Sequence, residues 1–161
     1  MSVATEVLSI PPIEQVKDHD KKIKEYGLSS EQLAQRLIQD VIQNQFMVTA
    51  DITRSLYDEQ ATFQDEIDIY GMDDWIVGTK RLFVADRSHV ELIPDTLQVN
   101  DTMASFQFQE YLQFRIPFRP TVYFSGQVLL KRDPKTGLIT SYREFWDQDI
   151  ATVLKSAKFG R

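Results

Sequence analysis

Cysteine is absent from this chain. That excludes disulfides, thiolate nucleophiles and every zinc site built on thiolates. Histidine is almost as scarce: His19 and His89 lie far apart and neither sits in a spaced ligand cluster, so no metal centre is expected. The six glycines never fall into GxGxxG or GxxxxGK, and GxSxG is missing as well. Phosphate-cradling loops and a nucleophile elbow are therefore excluded, and no cofactor is expected. Basic residues number 18 against 24 acidic ones and form no run longer than Lys21-Lys22 or Lys131-Arg132. At a net charge of −6 a phosphate backbone is repelled, which argues against nucleic acid as a partner. No apolar run approaches the roughly 18 residues that span a bilayer, and the N-terminus has no secretory pattern. The expectation is a soluble, intracellular protein of the cytoplasm or an organelle stroma.

What is present is enough for one domain. A chain of 161 residues buries about 68 to 70% of its unfolded surface without staples. The clearest signal runs from Thr102 to Ile116, where Ala104, Phe106, Phe108, Leu112, Phe114 and Ile116 alternate with Ser105, Gln107, Gln109, Gln113 and Arg115. A period of two means a strand with one buried face. Glu110 interrupts the apolar row, a carboxylate among phenylalanines, where an unpaired charge is costly. A second strand, Thr121 to Arg132, carries Val122, Phe124, Val128 and Leu130 on one face, with Gly126 bare among them, which points to a bend or a close approach. The turn Asp133 to Gly137 leads to a last strand, Leu138 to Asp147. On it Tyr142, Glu144 and Trp146 share one face, Arg143, Phe145 and Asp147 the other, and either set can line a cavity.

Helices come first. Residues 1–28 read as an arm, with Ile13 to Tyr26 at near-helical spacing. Ser29 with Gln32 fits a capping box, opening a helix with an apolar stripe through Leu33, Leu37, Val41, Val48, Ile38, Ile42 and Phe46. Ala50 to Tyr57 continues as a further helical turn. Ala61, Phe63, Asp65 and Ile67 share one face of a short strand from Glu59 to Ile67. Met72 to Phe83 follow helical spacing, with Asp73 and Asp74 in the first turn and Lys80 and Arg81 in the last. His89 to Val99 reads as one strand, and residues 150–161 as a tail.

Helices followed by a run of long strands are an α+β order. Leu56-Tyr57, Ala61-Thr62-Phe63-Gln64-Asp65, Gly71 through Ile76 and Tyr142-Arg143-Glu144-Phe145-Trp146-Asp147 resemble the nuclear transport factor 2-like superfamily, whose members include ketosteroid isomerases, scytalone dehydratase and SnoaL-like cyclases. The resemblance covers Ser30 to Asp149, is nearest to a SnoaL-like group, and supplies no reaction. It implies a cone-shaped fold over residues 29–149, with N-terminal helices on a strongly bent antiparallel sheet. The His89 position departs from the histidine site of the family's dehydratases.

Asp65, Glu110 and Asp147 are the candidate catalytic acids. Tyr57, Phe63, Tyr70, Trp75, Phe106, Phe108, Phe124, Arg143 and Trp146 are the candidate ligand-binding residues. The function expected is binding of a small apolar molecule in the cone. The alternatives are a non-catalytic dimerisation module and a cofactor-free isomerase, dehydratase or cyclase using pocket carboxylates. A homodimer is expected through the sheet's outer face, where Gln107, Gln109, Tyr111, Gln113, Tyr123, Ser125 and Gln127 make an amide-rich surface.

Overall fold

In the computed structural model, which describes residues 23–159, helix α1 (Ser30–Ile38) opens on the capping box. Ser29 Oγ accepts the Gln32 amide at 3.1 Å, and Gln32 Oε1 accepts the Ser29 amide at 2.9 Å. Leu33 and Leu37 form its buried stripe. A π turn, Gln39–Gln43, follows and shifts the register, so that Asp40 and Val41 turn inward while Ile38 and Ile42 stay exposed. The apolar stripe read through Ile38 and Ile42 breaks there. What holds the turn is polar: the Asp40 carboxylate accepts the Thr53 amide at 3.0 Å, Thr53 Oγ1 at 2.6 Å and Asn44 Nδ2 at 3.0 Å. Gln45 and Ala50, both with positive φ, bracket the short α2 (Phe46–Thr49). A single 3₁₀ turn, Arg54–Leu56, replaces the helix read over Ala50 to Tyr57, and β1 (Tyr57–Gln64) starts at once.

The remaining elements are β2 (Ile69–Gly71), α3 (Met72–Leu82), β3 (His89–Leu92), β4 (Gln98–Val99), β5 (Met103–Gln113), β6 (Thr121–Arg132), β7 (Ile139–Trp146) and α4 (Ile150–Lys155). Pro94, which has no amide proton for a ladder, lies in the gap that divides the strand read over His89 to Val99 into β3 and β4. The sheet order is β2-β1-β7-β6-β5-β3, with β4 also on β5. The class is α+β and the sheet is mixed, because β1 runs parallel to β7 while the other pairs are antiparallel. Of the arm helix read over Ile13 to Tyr26, the described part from Ile23 is not helical, and the rest lies outside the described residues.

Alternation on β5 and β6 splits the sheet into two faces. On the inner face Phe63, Phe106, Phe108, Phe124 and Val128 join one buried cluster with the helices, and Trp75 packs against it. Phe63 stacks on Trp75 at 4.6 Å, Tyr142 at 5.3 Å and Tyr57 at 5.5 Å. Each such pair adds about 0.5 to 1.5 kcal/mol beyond burial. Gly126 faces Phe108 on β5 and Trp146 on β7, and a Cβ there would stand 2.1 Å from the Phe145 carbonyl oxygen. No side chain fits, so the bare position in the row is a close approach of backbone.

β6 outruns β7, and the chain after β7 covers the exposed edge. The Asp147 amide donates to the Ser125 carbonyl at 2.9 Å, Gln148 Oε1 accepts the Ser125 amide at 3.0 Å, and Ser156 Oγ accepts the Tyr123 amide at 2.9 Å. Between these contacts Asp149 caps α4, and Val153 enters the core.

Candidate functional site

β5 and β7 each set one carboxylate on the inner face. Glu110 lies opposite Phe124 on β6, Glu144 opposite Val128, and Gly126 falls between those two β6 positions. Glu110 is 7% exposed, and its Oε2 has no hydrogen-bond partner among the described residues. Glu144 is held on both oxygens: Oε2 accepts the Tyr142 hydroxyl at 2.6 Å and Oε1 accepts the Trp146 indole N–H at 2.9 Å. Residues i−2 and i+2 of one strand share the face of residue i, so the alternation itself places a donor on either side of the carboxylate.

Burial, and then the Glu144 charge, push Glu110 well above the usual carboxylate range. Burial raises Glu144 to about 7 against the lowering effect of the Tyr142 and Trp146 hydrogen bonds; Asp65 adds a smaller rise and Arg143 a smaller fall. Glu144 keeps some accessible surface although its carboxylate lies deep. The Tyr142 hydroxyl is raised by burial and by the Glu144 charge, and Tyr57, whose hydroxyl has no partner, by burial and Asp40. The charge of one acid disfavours ionisation of the other, so the pair does not readily carry two charges near neutral pH.

A groove of about 400 Å³ opens on the other face, lined by His89, Glu91, Gln109, Tyr111, Tyr123, Ser125 and Gln148, and also by Glu110 and Phe124. Its polar side chains largely satisfy one another: Gln109 Nε2 donates to Glu91 at 2.7 Å, Ser125 Oγ to Asp147 at 2.7 Å and Gln148 Nε2 to Ser125 Oγ at 3.2 Å. The groove has volume with few unspent polar groups. The inner pair has an unspent oxygen, and on that ground it is the stronger candidate.

No family model and no curated protein matches the sequence. Solved structures do. One described as a SnoaL-like polyketide cyclase from Jannaschia sp. CCS1 is similar at a TM-score of 0.60 and 13% identity, over 83% of this chain and 96% of that one. BvnE pinacolase from Penicillium brevicompactum is similar at 0.59 and 13%, over 78% and 92%. SalBIII, an epoxide hydrolase/cyclase-like enzyme of pyran ring formation in salinomycin, is similar at 0.54 and 13%, over 83% and 100%.

The fold is NTF2-like.

In the NTF2-like interior Tyr57, Phe63, Phe106, Phe108 and Phe124 are buried in one cluster, Phe124 directly opposite Glu110, with Trp75 and Trp146 half-buried against that cluster. Tyr70 sits at the sheet edge on β2, in register with Phe63 and half-buried. The other sequence candidates stand apart. Asp65 ends β1 in a turn, its Oδ1 accepting the amides of Ile67 at 2.8 Å and Asp68 at 2.9 Å. Arg143 lies on the outer face, on Glu66 at 2.9 Å and over the Phe145 ring at 4.5 Å. Asp147, also outside, is exposed and accepts Ser125 Oγ. Of the three expected acids only Glu110 faces inward, and its companion is Glu144. The readable signal for Glu144 was Tyr-x-Glu-x-Trp, a carboxylate flanked at two-residue spacing by aromatics that carry a hydrogen-bond donor. No helix of the described residues is long and apolar enough to cross a membrane.

Proposed function

We propose that this NTF2-like protein binds a small, largely apolar molecule on the inner face of its sheet, against Glu110 and Glu144. The observation that carries this reading is Glu110 Oε2, buried in an aromatic surround with no partner. A folded protein gains nothing structural from such a group, since an unsatisfied buried acceptor costs about 1 to 3 kcal/mol. The test is a fragment titration of carboxyl-labelled protein followed by NMR. Binding that moves the Glu110 and Glu144 resonances supports the reading. Binding that moves Glu91 and leaves Glu144 unmoved, as at the outer groove, overturns it.

A second reading rests on the unequal surroundings of the two acids, Glu110 with a bare oxygen and Glu144 held by two donors. Glu110 carrying a proton can donate it from Oε2 to an oxygen of the substrate, while ionised Glu144, held by Tyr142 and Trp146, accepts one from a nucleophilic hydroxyl. One proton is given and one taken, as a cofactor-free cyclase, isomerase or dehydratase requires. Two of the similar structures are of proteins described as a cyclase-like enzyme and a pinacolase. A homodimer through the outer face is part of the same proposal: Tyr111 and Tyr123 are exposed there among Gln107, Gln109 and Gln127. Light scattering that returns the monomer mass at micromolar concentration refutes it.

A further inference from the structure

Several carboxylates elsewhere in the described residues meet cations. Glu59 binds Lys24 and Arg54, Glu25 binds Arg36, and Glu66 binds Arg143. Asp40, with no cation, is answered by three neutral donors. Glu110 and Glu144 differ from all of these. No Lys or Arg among the described residues is hydrogen-bonded or ion-paired to either carboxylate, and one oxygen of Glu110 is left bare. Around them stand aromatic rings, with Phe124 against Trp146 at 4.7 Å and against Phe108 at 6.1 Å, and Phe63 against Trp75 at 4.6 Å. An aromatic face carries partial negative charge, so rings and acids together make an interior that attracts one sign only.

We propose that the molecule bound at the interior acid pair is an organic ammonium: an apolar body carrying one positive amine, seated between Glu110 Oε2, Glu144 and the surrounding rings. This rests on the reading of the inner face as the ligand site. An anion is repelled there. An uncharged molecule leaves the acids' protons in place, whereas a cation favours ionisation of both acids and displaces those protons. The other groups facing the pair do not supply the missing charge: Tyr57 and Tyr142 are phenols kept neutral by burial, Asp65 and Asp40 are acids, and Arg143 acts on Glu144 only weakly from the opposite face. Binding therefore competes with protons. With Glu144 titrating at about 7 and Glu110 giving up a proton as well, affinity for a permanently charged probe rises at least about tenfold from pH 6 to pH 8.

The experiment uses the full chain with two probes of one shape, benzyltrimethylammonium and its uncharged carbon isostere neopentylbenzene, at pH 6 and pH 8. Tryptophan fluorescence reports occupancy through Trp75 and Trp146, and labelled carboxyls report location. The expected result is that the cation binds at least tenfold tighter than the isostere at pH 8, loses at least about tenfold at pH 6, and loses its advantage in Glu110→Gln and Glu144→Gln. Equal or tighter binding of the isostere overturns the ammonium while leaving an interior ligand site intact. Cation binding indifferent to pH and to Glu110→Gln places it elsewhere and overturns the proposal. Failure of both probes to move either glutamate overturns the interior site together with it. Should Glu144→Gln not fold, the wild-type pH series and Glu110→Gln decide.

Discussion

Around Arg54 and around Glu110 the chain buries charge in opposite ways. Arg54 is 9% exposed and clamps Glu59 through Nε and Nη2, with Asp73 at 2.9 Å on its other side and Lys24 also on Glu59. The charges there answer one another and tie the segment before α1 and the start of α3 to β1. Glu59 is held below its usual range because its hydrogen bonds and ion pairs with Arg54 and Lys24 outweigh the larger single effect of burial, which acts the other way. At Glu110 burial acts without an opposing cation, and the acid moves upward. A paired cluster is a fastening. An unpaired one is a standing cost that a fold keeps when something else completes it.

The largest break in this comparison is Arg54→Met. Removing the cation leaves Glu59 with Lys24 alone and takes Arg54 from Asp73, and the expected loss is on the order of 3 kcal/mol, read from denaturant midpoints at neutral pH. Glu110→Gln should do the reverse, gaining on the order of 1 kcal/mol at pH 8, because it removes a buried charge and keeps the shape. The pH trends also oppose one another. Glu110 and Glu144 have folded values above their unfolded ones, so the folded chain holds protons that the unfolded chain has released. Stability then falls as pH rises from about 4.5 toward 7, where Glu144 titrates, and further for Glu110. Asp40, also raised, adds the same sign lower in the range and persists in the variant. Glu59, lowered, contributes stability at neutral pH that is lost as pH falls below about 4.5. A wild type no steeper than Glu110→Gln between pH 5 and pH 8 would remove Glu110 from the candidate acids.

Much of the fold was legible because strand alternation is a strong signal: the inner cluster of Phe63, Phe106, Phe108, Phe124 and Val128, the oddity of Glu110 and the bare Gly126 all follow from a period of two. Ser29 and Gln32 announced α1 for an equally local reason. The π turn at Gln39–Gln43 was not legible, since its cause is Asp40 reaching Thr53 13 residues on. The site was half legible. Glu110 breaks an apolar row, which shows in one strand, whereas Glu144 sits in a strand whose two faces have similar composition, and only the register against β6 tells which turns inward. Asp147 and Arg143 fell on the wrong side of that ambiguity for an interior role.

The smallest expected effect tests how isolated the pair is. Arg143 is the cation with a named influence on Glu144, a weak lowering across the sheet, while its guanidinium is committed to the Asp65 carbonyl at 2.6 Å, to Glu66 and to the Phe145 ring. Arg143→Gln should raise the Glu144 midpoint in a carboxyl NMR titration by less than about one unit, because a charge on the far face acts through solvent-screened distance. Glu110→Gln should leave the same midpoint near its place, since Glu110, the more strongly raised acid, keeps its proton while Glu144 titrates. The stability cost of Arg143→Gln should stay near 0.5 to 1 kcal/mol, the ordinary worth of a partly exposed pair. An upward shift of more than about one unit from Arg143→Gln would mean that Arg143 already serves as the counterion of the pair, and the contrast with the Arg54 cluster would then collapse.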